Sequence, residues 1–211
     1  MRHDLRVPRT TARVIVLAGP SGSGKSRLAG RLGLPVLRLD DFYKSGDDPT
    51  LPRITEGSNA GLVDWDHPDS WLPDDAMAAL RTLCATGVAD VPVYEISQNG
   101  RCGWQTLDLA GADLFVAEGI FAPDVVAACR AEGLLAAAYC IRRSAVATFW
   151  LRLTRDLRER RKPPLVLVRR GLALARAQRG VVEDAVRKGC TPMTPDEAVA
   201  DVDRIRSTPV T

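Results

Sequence analysis

Short, wholly apolar runs alternate along this chain with longer amphipathic stretches. Arg13 to Ala18 is β-branched and apolar and runs straight into Gly19-Pro20, which predicts a buried parallel strand feeding a tight loop. Ser26 to Leu32 has a helical pattern, and Pro35 to Leu39 reads as a second short strand closed by Asp40 and Asp41. From Lys44 to Pro73 the chain is full of Gly, Pro, Asp and Asn, so a long ordered loop or lid is expected there, of the kind usually kept for function. Asp74 to Ala85 opens with acids and has a helical pattern, and Val91 to Tyr94 follows as a strand. Asn99-Gly100 signals a turn ahead of Trp104 to Leu107 and predicts a small β-hairpin. Asp113 to Glu118 is the next buried strand, with Glu118 at its carboxyl end. Pro123 to Glu132 reads as a helix and Leu134 to Ile141 as a buried strand. A long basic helix is expected from Ser144 to about Lys162, stopped by Pro163-Pro164. Leu165 to Lys188 reads as helical with breaks at Gly171 and Gly180, and Val199 to Ile205 as a last edge strand. Strands alternating with helices imply an α/β, doubly wound parallel sheet flanked by helices, with a small β-hairpin and a helical lid over 142–164. The expectation is a single domain over 1–211 with an N-terminal tail at 1–12.

Composition narrows the class. No apolar run approaches the roughly 20 residues needed to span a bilayer, and the first residues lack the apolar stretch of a signal peptide, so a cytoplasmic protein without a membrane partner is expected. Five cysteines with no C-x-x-C pair argue against a disulfide framework and a zinc knuckle. A net charge of only +3 is not the footprint of a nucleic-acid binder. The charge is uneven, however: arginines crowd Arg142 to Arg179 and aspartates crowd Asp40 to Asp75, an opposition suited to an anionic ligand bridged by a metal.

Gly19 to Ser26 matches G-x-x-x-x-G-K-[ST] between a predicted strand and a predicted helix start, where a phosphate-binding P-loop belongs. Glycines without Cβ atoms let successive backbone N–H groups converge on phosphate oxygens, and the following helix adds the positive end of its dipole. The candidate ATP contacts are Gly19, Ser21, Gly22, Ser23, Gly24, Lys25, Ser26 and Arg27, joined by Arg152. Lys25 supplies a point charge for the β and γ phosphates, and the Ser26 hydroxyl is the expected ligand of Mg²⁺. This motif does not by itself distinguish a kinase from a GTPase, an ATPase or a regulator.

The remaining candidates face the γ-phosphate. Asp40, at the end of the second strand, is the candidate to orient and deprotonate an acceptor hydroxyl, the alternative being a helix or turn cap. Asp66 offers a carboxylate that can accept two hydrogen bonds from a vicinal diol, although Asp64, Asp66 and Asp69 also fit a merely solubilised loop. His67, followed by proline and without a second histidine nearby, reads as a hydrogen-bonded structural residue. Glu118 at a strand end beside a P-loop is expected to act on magnesium directly or through water. Arg152, Arg155, Asp156, Glu159 and Arg160 share one helical face, and Arg155 is the candidate for stabilising charge on the transferring group; a solvated, salt-bridged surface is the competing reading. Phe42, Tyr43, Trp65, Tyr94 and Trp104 lie in the same segments and are candidates to stack on a base or simply to pack.

Taken together, the P-loop, Asp40 to Tyr43, Asp64 to Ser70, Pro92 to Tyr94, Glu118-Gly119 and Arg155-Asp156 before Glu159-Arg160 resemble the uridine-cytidine kinase family in order and spacing, from about Val14 to Arg160. The resemblance implies that Asp40 is the catalytic base, that Asp66 binds ribose hydroxyls, and that Tyr94 and Arg101 contact a nucleoside; Tyr43 is a further candidate substrate contact. It also implies a place for Glu118 near magnesium and contacts from Arg152, Arg155 and Arg160 to nucleotide phosphates. Where that family has an aromatic residue and then a base-reading histidine after the tyrosine, this chain has Glu95 to Arg101, in which Gln98 or Asn99 offers an amide donor and acceptor. The expected activity is transfer of the γ-phosphoryl group of ATP, with Mg²⁺, to the 5'-hydroxyl of uridine, cytidine or a related nucleoside. Kinases of another small hydroxyl substrate (pantothenate, a sugar phosphate, glycerate) and an ATP-binding regulatory ATPase are the alternatives. The expected partner is a nucleoside-like small molecule, with nucleic acid excluded and homo-oligomerisation left open.

Overall fold

The computed structural model describes residues 12–20, 22–57, 60–98, 100–142 and 179–207. The N-terminal tail through residue 11, Ser21, Asn99 and the basic helix with Arg152, Arg155 and Arg160 lie outside the described residues. The elements are β1 (Arg13–Ala18), α1 (Lys25–Leu32), β2 (Val36–Arg38), α2 (Pro73–Thr86), β3 (Val88–Glu95), β4 (Gly100–Asp108), β5 (Leu114–Glu118), α3 (Val126–Ala131), β6 (Leu135–Ile141), α4 (residues 179–187), β7 (Thr191–Met193) and α5 (Pro195–Ser207).

Five strands form one sheet in the order β2-β5-β1-β6-β7, every neighbour parallel. Parallel strands covered on both faces need apolar side chains on both, and the alternation along β1 and β5 shows this directly. Val14, Val16, Phe115 and Ala117 pack on one face with Leu80 and Leu83 of α2 and Val126 of α3. Ile15, Leu17, Leu114 and Val116 pack on the other with Leu28 and Leu32 of α1 and Val202 of α5. Insertion of β5 between β1 and β2 sets Leu17 and Arg38 both level with Glu118, so the loops that leave these three strands open side by side at the carboxyl edge.

β3 and β4 form a separate two-stranded antiparallel ribbon, the expected hairpin with longer strands. Its connection contains a 3₁₀ turn at Ile96–Gln98 rather than a tight two-residue turn. β2 is shorter than expected because Leu39–Phe42 coils into a 3₁₀ turn, and the predicted helix after Pro123 begins as 3₁₀ turn Ala122–Val125.

The expected edge strand over Val199 to Ile205 is corrected: this segment is the interior of helix α5, and the edge strand is Thr191–Met193. The reason is a capping box at Thr194. The Glu197 carboxylate accepts from Thr194 N at 2.8 Å, while Glu197 N donates to Thr194 Oγ1 at 3.3 Å, and this reciprocal pair nucleates a helix. Ala198 and Val202 then fall on one buried face four residues apart. Among the described residues no helix is long and apolar enough to cross a membrane.

The long segment between β2 and α2 is held to the core at its ends. Tyr43 and Trp71 form an antiparallel bridge, flanked by Lys44 N to Ser70 O at 2.9 Å and Leu72 N to Phe42 O at 3.0 Å. Trp71, stacked on Phe121 with centroids 5.4 Å apart, donates its indole N–H to Leu39 O at 2.7 Å. Trp71→Phe should keep the stacking and leave the buried Leu39 carbonyl unpaired, lowering unfolding free energy by about 1–3 kcal/mol in urea titrations. An unchanged midpoint would show that this bond does not support the turn.

Candidate functional site

The loop after β1 is shaped by close backbone approach. A Cβ on Gly19, whose φ is +135°, would stand 2.5 Å from Ile141 O at the end of β6, so only glycine lets the loop lie against that strand. Gly24 caps α1 in the left-handed conformation and, as a glycine, supplies no side-chain cap to the helix's first N–H groups, which can then serve an anion. Among the described residues Ser23 Oγ is buried without a hydrogen-bond partner, a second donor for an acceptor. Lys25 folds back on this cradle, donating to Gly19 O at 2.8 Å and Pro20 O at 3.4 Å. Burial pushes its ammonium below the ordinary lysine value, against the opposing pull of Glu118 and Asp40. Those two carboxylates are therefore the charges that Lys25 feels most. Arg27, on the exposed side of α1, lines with Gly24, Leu28, Arg31 and Pro195 a cavity of about 260 Å³ beside the loop.

Ser26 Oγ donates to Glu118 at 2.9 Å (Oε1) and 3.2 Å (Oε2). A hydroxyl and one carboxylate are hard oxygen donors of the kind Mg²⁺ accepts, and magnesium commonly takes only one or two protein carboxylates with the rest of its shell from phosphates and water. Among the described residues no group of three or more His, Cys, Asp or Glu forms a metal cage. The pair thus fits a magnesium that arrives with a nucleotide, rather than a resident all-protein site.

Opposite the loop, the 3₁₀ turn after β2 presents Asp40, whose Oδ1 accepts from Ile120 N at 2.8 Å. Gly119 makes this approach possible: a Cβ there would sit 2.6 Å from Asp40 Oδ1 and 2.9 Å from Leu39 Cβ. The neighbouring Asp41 points inward. Burial raises its carboxyl above the usual range, opposed by Arg38 at 3.8 Å and by a hydrogen bond from the Tyr94 backbone. Asp41 is thereby the seat of the hairpin, which leaves Asp40 as the solvent-facing carboxylate.

In the following loop Asp64 accepts from Asp66 N at 3.2 Å, and the buried Ser70 hydroxyl lies within bonding distance of Trp65 O (3.0 Å) and His67 O (2.7 Å). His67 Nδ1 accepts from Asp69 N at 3.2 Å as the cap of a 3₁₀ turn, which is the structural role expected of it. Asp66 is exposed and close enough to the Tyr43 hydroxyl that it acts with burial, the largest cause, and with Asp40 to raise the phenol well above its ordinary value. Tyr43 in turn contacts Trp65 (5.6 Å), Tyr94 (5.8 Å) and Phe121 (5.8 Å) by ring centroid. Phe42 is in the core instead, and Trp104 lies exposed on the hairpin.

The structure thus brings together Lys25, Ser26, Glu118, Asp40, Tyr43, Asp66 and Tyr94, with Arg101 beside Tyr94 in the hairpin register. Gly119, named above only as part of its motif, gives Asp40 room, and residues that the sequence did not single out also shape the site: Ile120 N–H holds Asp40, Trp71 fixes its turn, and Asp75 pairs with Arg101 at 3.1 Å. The glycine directly after a strand-end acid was a readable signal for the first; nothing local marked the others. Gly119→Ala should overpack this contact and destabilise the fold by about 1–3 kcal/mol in denaturant titration, and wild-type stability would show that the turn yields freely.

No family model matches the chain. It is 34% identical over 122 residues to a uridine kinase of Schizosaccharomyces pombe, covering 54% of this chain and 26% of that protein. It is 26% identical over 115 residues to a uridine kinase of Lactobacillus johnsonii, covering 51% of each. The chain therefore spans from about a quarter to about half of the length of these curated relatives. Among solved structures, a protein assigned as a fructose transport system kinase in Silicibacter sp. TM1040 superimposes with a TM-score of 0.52 at 17% identity, covering 84% of this chain and 88% of that one. The fold is that of the P-loop NTPases, and in sequence the chain is similar to the uridine kinases across about half of its length.

Proposed function

We propose that the protein is an ATP-dependent small-molecule kinase that phosphorylates the 5'-hydroxyl of uridine, cytidine or a related nucleoside. The observation that carries this reading is the position of Asp40: held by Ile120 N–H, its charge acts on Lys25 of the phosphate loop on one side and on the Tyr43 hydroxyl on the other. A carboxylate between the phosphate cradle and an aromatic pocket is placed to receive the proton of a bound acceptor hydroxyl, which favours a kinase over a regulatory ATPase. The likeness to uridine kinases supports the nucleoside as acceptor.

In this reading the loop N–H groups, Ser23 and Lys25 receive the triphosphate, and the groove at Arg27, Leu28 and Pro195 lies beside it for the rest of ATP. Ser26 and Glu118 would hold Mg²⁺, which supplies charge neutralisation on the phosphate oxygens when bound. Asp66 accepts hydrogen bonds from a vicinal diol, and Tyr43, Trp65 and Tyr94 offer faces to a base. The acceptor oxygen forms a bond to the γ-phosphorus as the bond to the β–γ bridging oxygen breaks, ADP leaves, and the hydroxyl proton passes to Asp40. Phosphoryl transfer is loose, so Asp40 chiefly orients the nucleophile and receives its proton late. Arg155 and Arg152, outside the described residues, are assigned to the transferring and donor phosphates on their spacing in the sequence and on the family resemblance, and Asn99, also outside them, to the base edge on its amide chemistry.

Incubation with magnesium ATP and a panel of nucleosides, vitamins and sugars, with the product identified by mass, should give a nucleoside 5'-monophosphate and ADP in equal amounts. ADP release indifferent to every acceptor would favour an ATPase. Asp40→Asn should lower kcat by about 10²–10⁴ with ATP affinity retained, whereas Lys25→Ala should damage both. Full turnover by the Asp40 variant would remove that residue from the mechanism.

A further inference from the structure

The hairpin contains a device that neither the P-loop nor the catalytic carboxylates require. Val93 pairs with Gly103 and Tyr94 pairs with Arg101, so Cys102 is an extra residue and the ladder carries a bulge at this point. Pro92 pairs with Trp104. Directly paired residues share a face of the ribbon, and in a regular strand residues three apart point to opposite faces. The single-residue bulge cancels that alternation and puts Arg101 and Trp104 on one face, the face of Tyr94. The Arg101 guanidinium accordingly lies over the Trp104 ring, 5.9 Å from its centroid. Its Nη2 donates to Asp75 Oδ2 at 3.1 Å, and Asp75 comes from the first turn of α2, a different part of the molecule.

A guanidinium held by an indole on one side and a carboxylate on another has lost most of its torsional freedom. Of the Arg101 nitrogens, Nε is the one that is both buried and without a hydrogen-bond partner among the described residues, an arrangement that costs free energy unless an acceptor arrives. The neighbour of Arg101 across the ribbon is Tyr94, whose ring contacts Tyr43 and Trp65 in the aromatic pocket.

We propose that Asp75 is a positioning residue for acceptor binding: with Trp104 and the Cys102 bulge it fixes Arg101 beside Tyr94 so that the spare Nε–H meets an acceptor atom of the small-molecule substrate. This rests on the kinase reading above and adds to it the group that aims the arginine. Asp75 touches no substrate. The expected effect is on acceptor recognition, because Arg101 stands beside Tyr94 on the ribbon and Asp75 in the first turn of α2, neither of them on the phosphate loop.

The test uses the full chain as wild type, Asp75→Asn, Asp75→Glu and Trp104→Leu. Calorimetry measures nucleoside binding without ATP and ATP binding separately, and kinetics give KM and kcat for the acceptor the wild type uses. Asp75→Asn should raise both the nucleoside Kd and KM about tenfold, as loss of a charge-assisted hydrogen bond does. It should leave kcat within about threefold and leave ATP affinity unchanged. Asp75→Glu, which keeps the charge, should recover most of the loss, and Trp104→Leu should produce a smaller loss of the same kind. Unchanged acceptor KM in Asp75→Asn overturns the proposal, as does a parallel fall in ATP affinity or failure of Asp75→Glu to recover binding. A wild type that neither binds nor phosphorylates any acceptor overturns the kinase reading itself, an outcome distinct from a working wild type indifferent to Asp75.

Discussion

The register of β5 against its two neighbours is the constraint from which the site follows. Leu17, Arg38 and Glu118 stand on one level of a parallel sheet, so each of the three chains leaves the sheet at the same height. Two residues beyond that level lie Gly19 on one chain and Asp40 on another, with Gly119 and Ile120 directly after Glu118 on the third. A slip of one strand by a single residue would reverse which side chains enter each apolar layer, and the layers on both faces forbid it. The geometry of the site is therefore secured by Ile15, Val16, Phe115 and Val116, residues that never approach it.

Two close approaches then convert this register into a site with fixed distances. Gly19 lies against the end of β6 and Gly119 against Asp40, and at both a methyl group would collide with backbone or with the carboxylate. The charges obey the same economy. Lys25 is partly desolvated and kept near Glu118 and Asp40, so it serves a cluster of anions without a dedicated salt bridge, while Asp41 turns its carboxyl inward and carries the hairpin. Adjacent aspartates thus have opposite tasks, decided by which way a 3₁₀ turn points each one.

What was legible in the sequence was whatever depends on local pattern. The apolar runs of β1, β5 and β6 announced parallel strands, and the phosphate motif sat in the strand-to-helix context that its mechanism needs. Asp40 and Glu118 were readable because strand ends are where α/β sheets present ligand groups. Less visible was whatever depends on distant partners. No feature near Trp71 reveals that its indole supports Leu39, and no feature near Asp75 reveals that Arg101 lies within reach. The bulge at Cys102 is invisible because it depends on the pairing of two strands. The misread final segment differs from these. Thr194 and Glu197 form a capping box, and Ala198 and Val202 recur at helical spacing, so here the local pattern itself carries the helix.

The ribbon of β3 and β4 shares no strand with the parallel sheet and rests on it chiefly through Asp41, the packing of β3 on α2 and the Arg101–Asp75 pair. A lineage carrying this architecture can therefore alter the ribbon, in length, bulge or aromatic content, without disturbing the sheet that shapes the phosphate cradle. Such modularity separates change in the ribbon from change in the loop that follows β1.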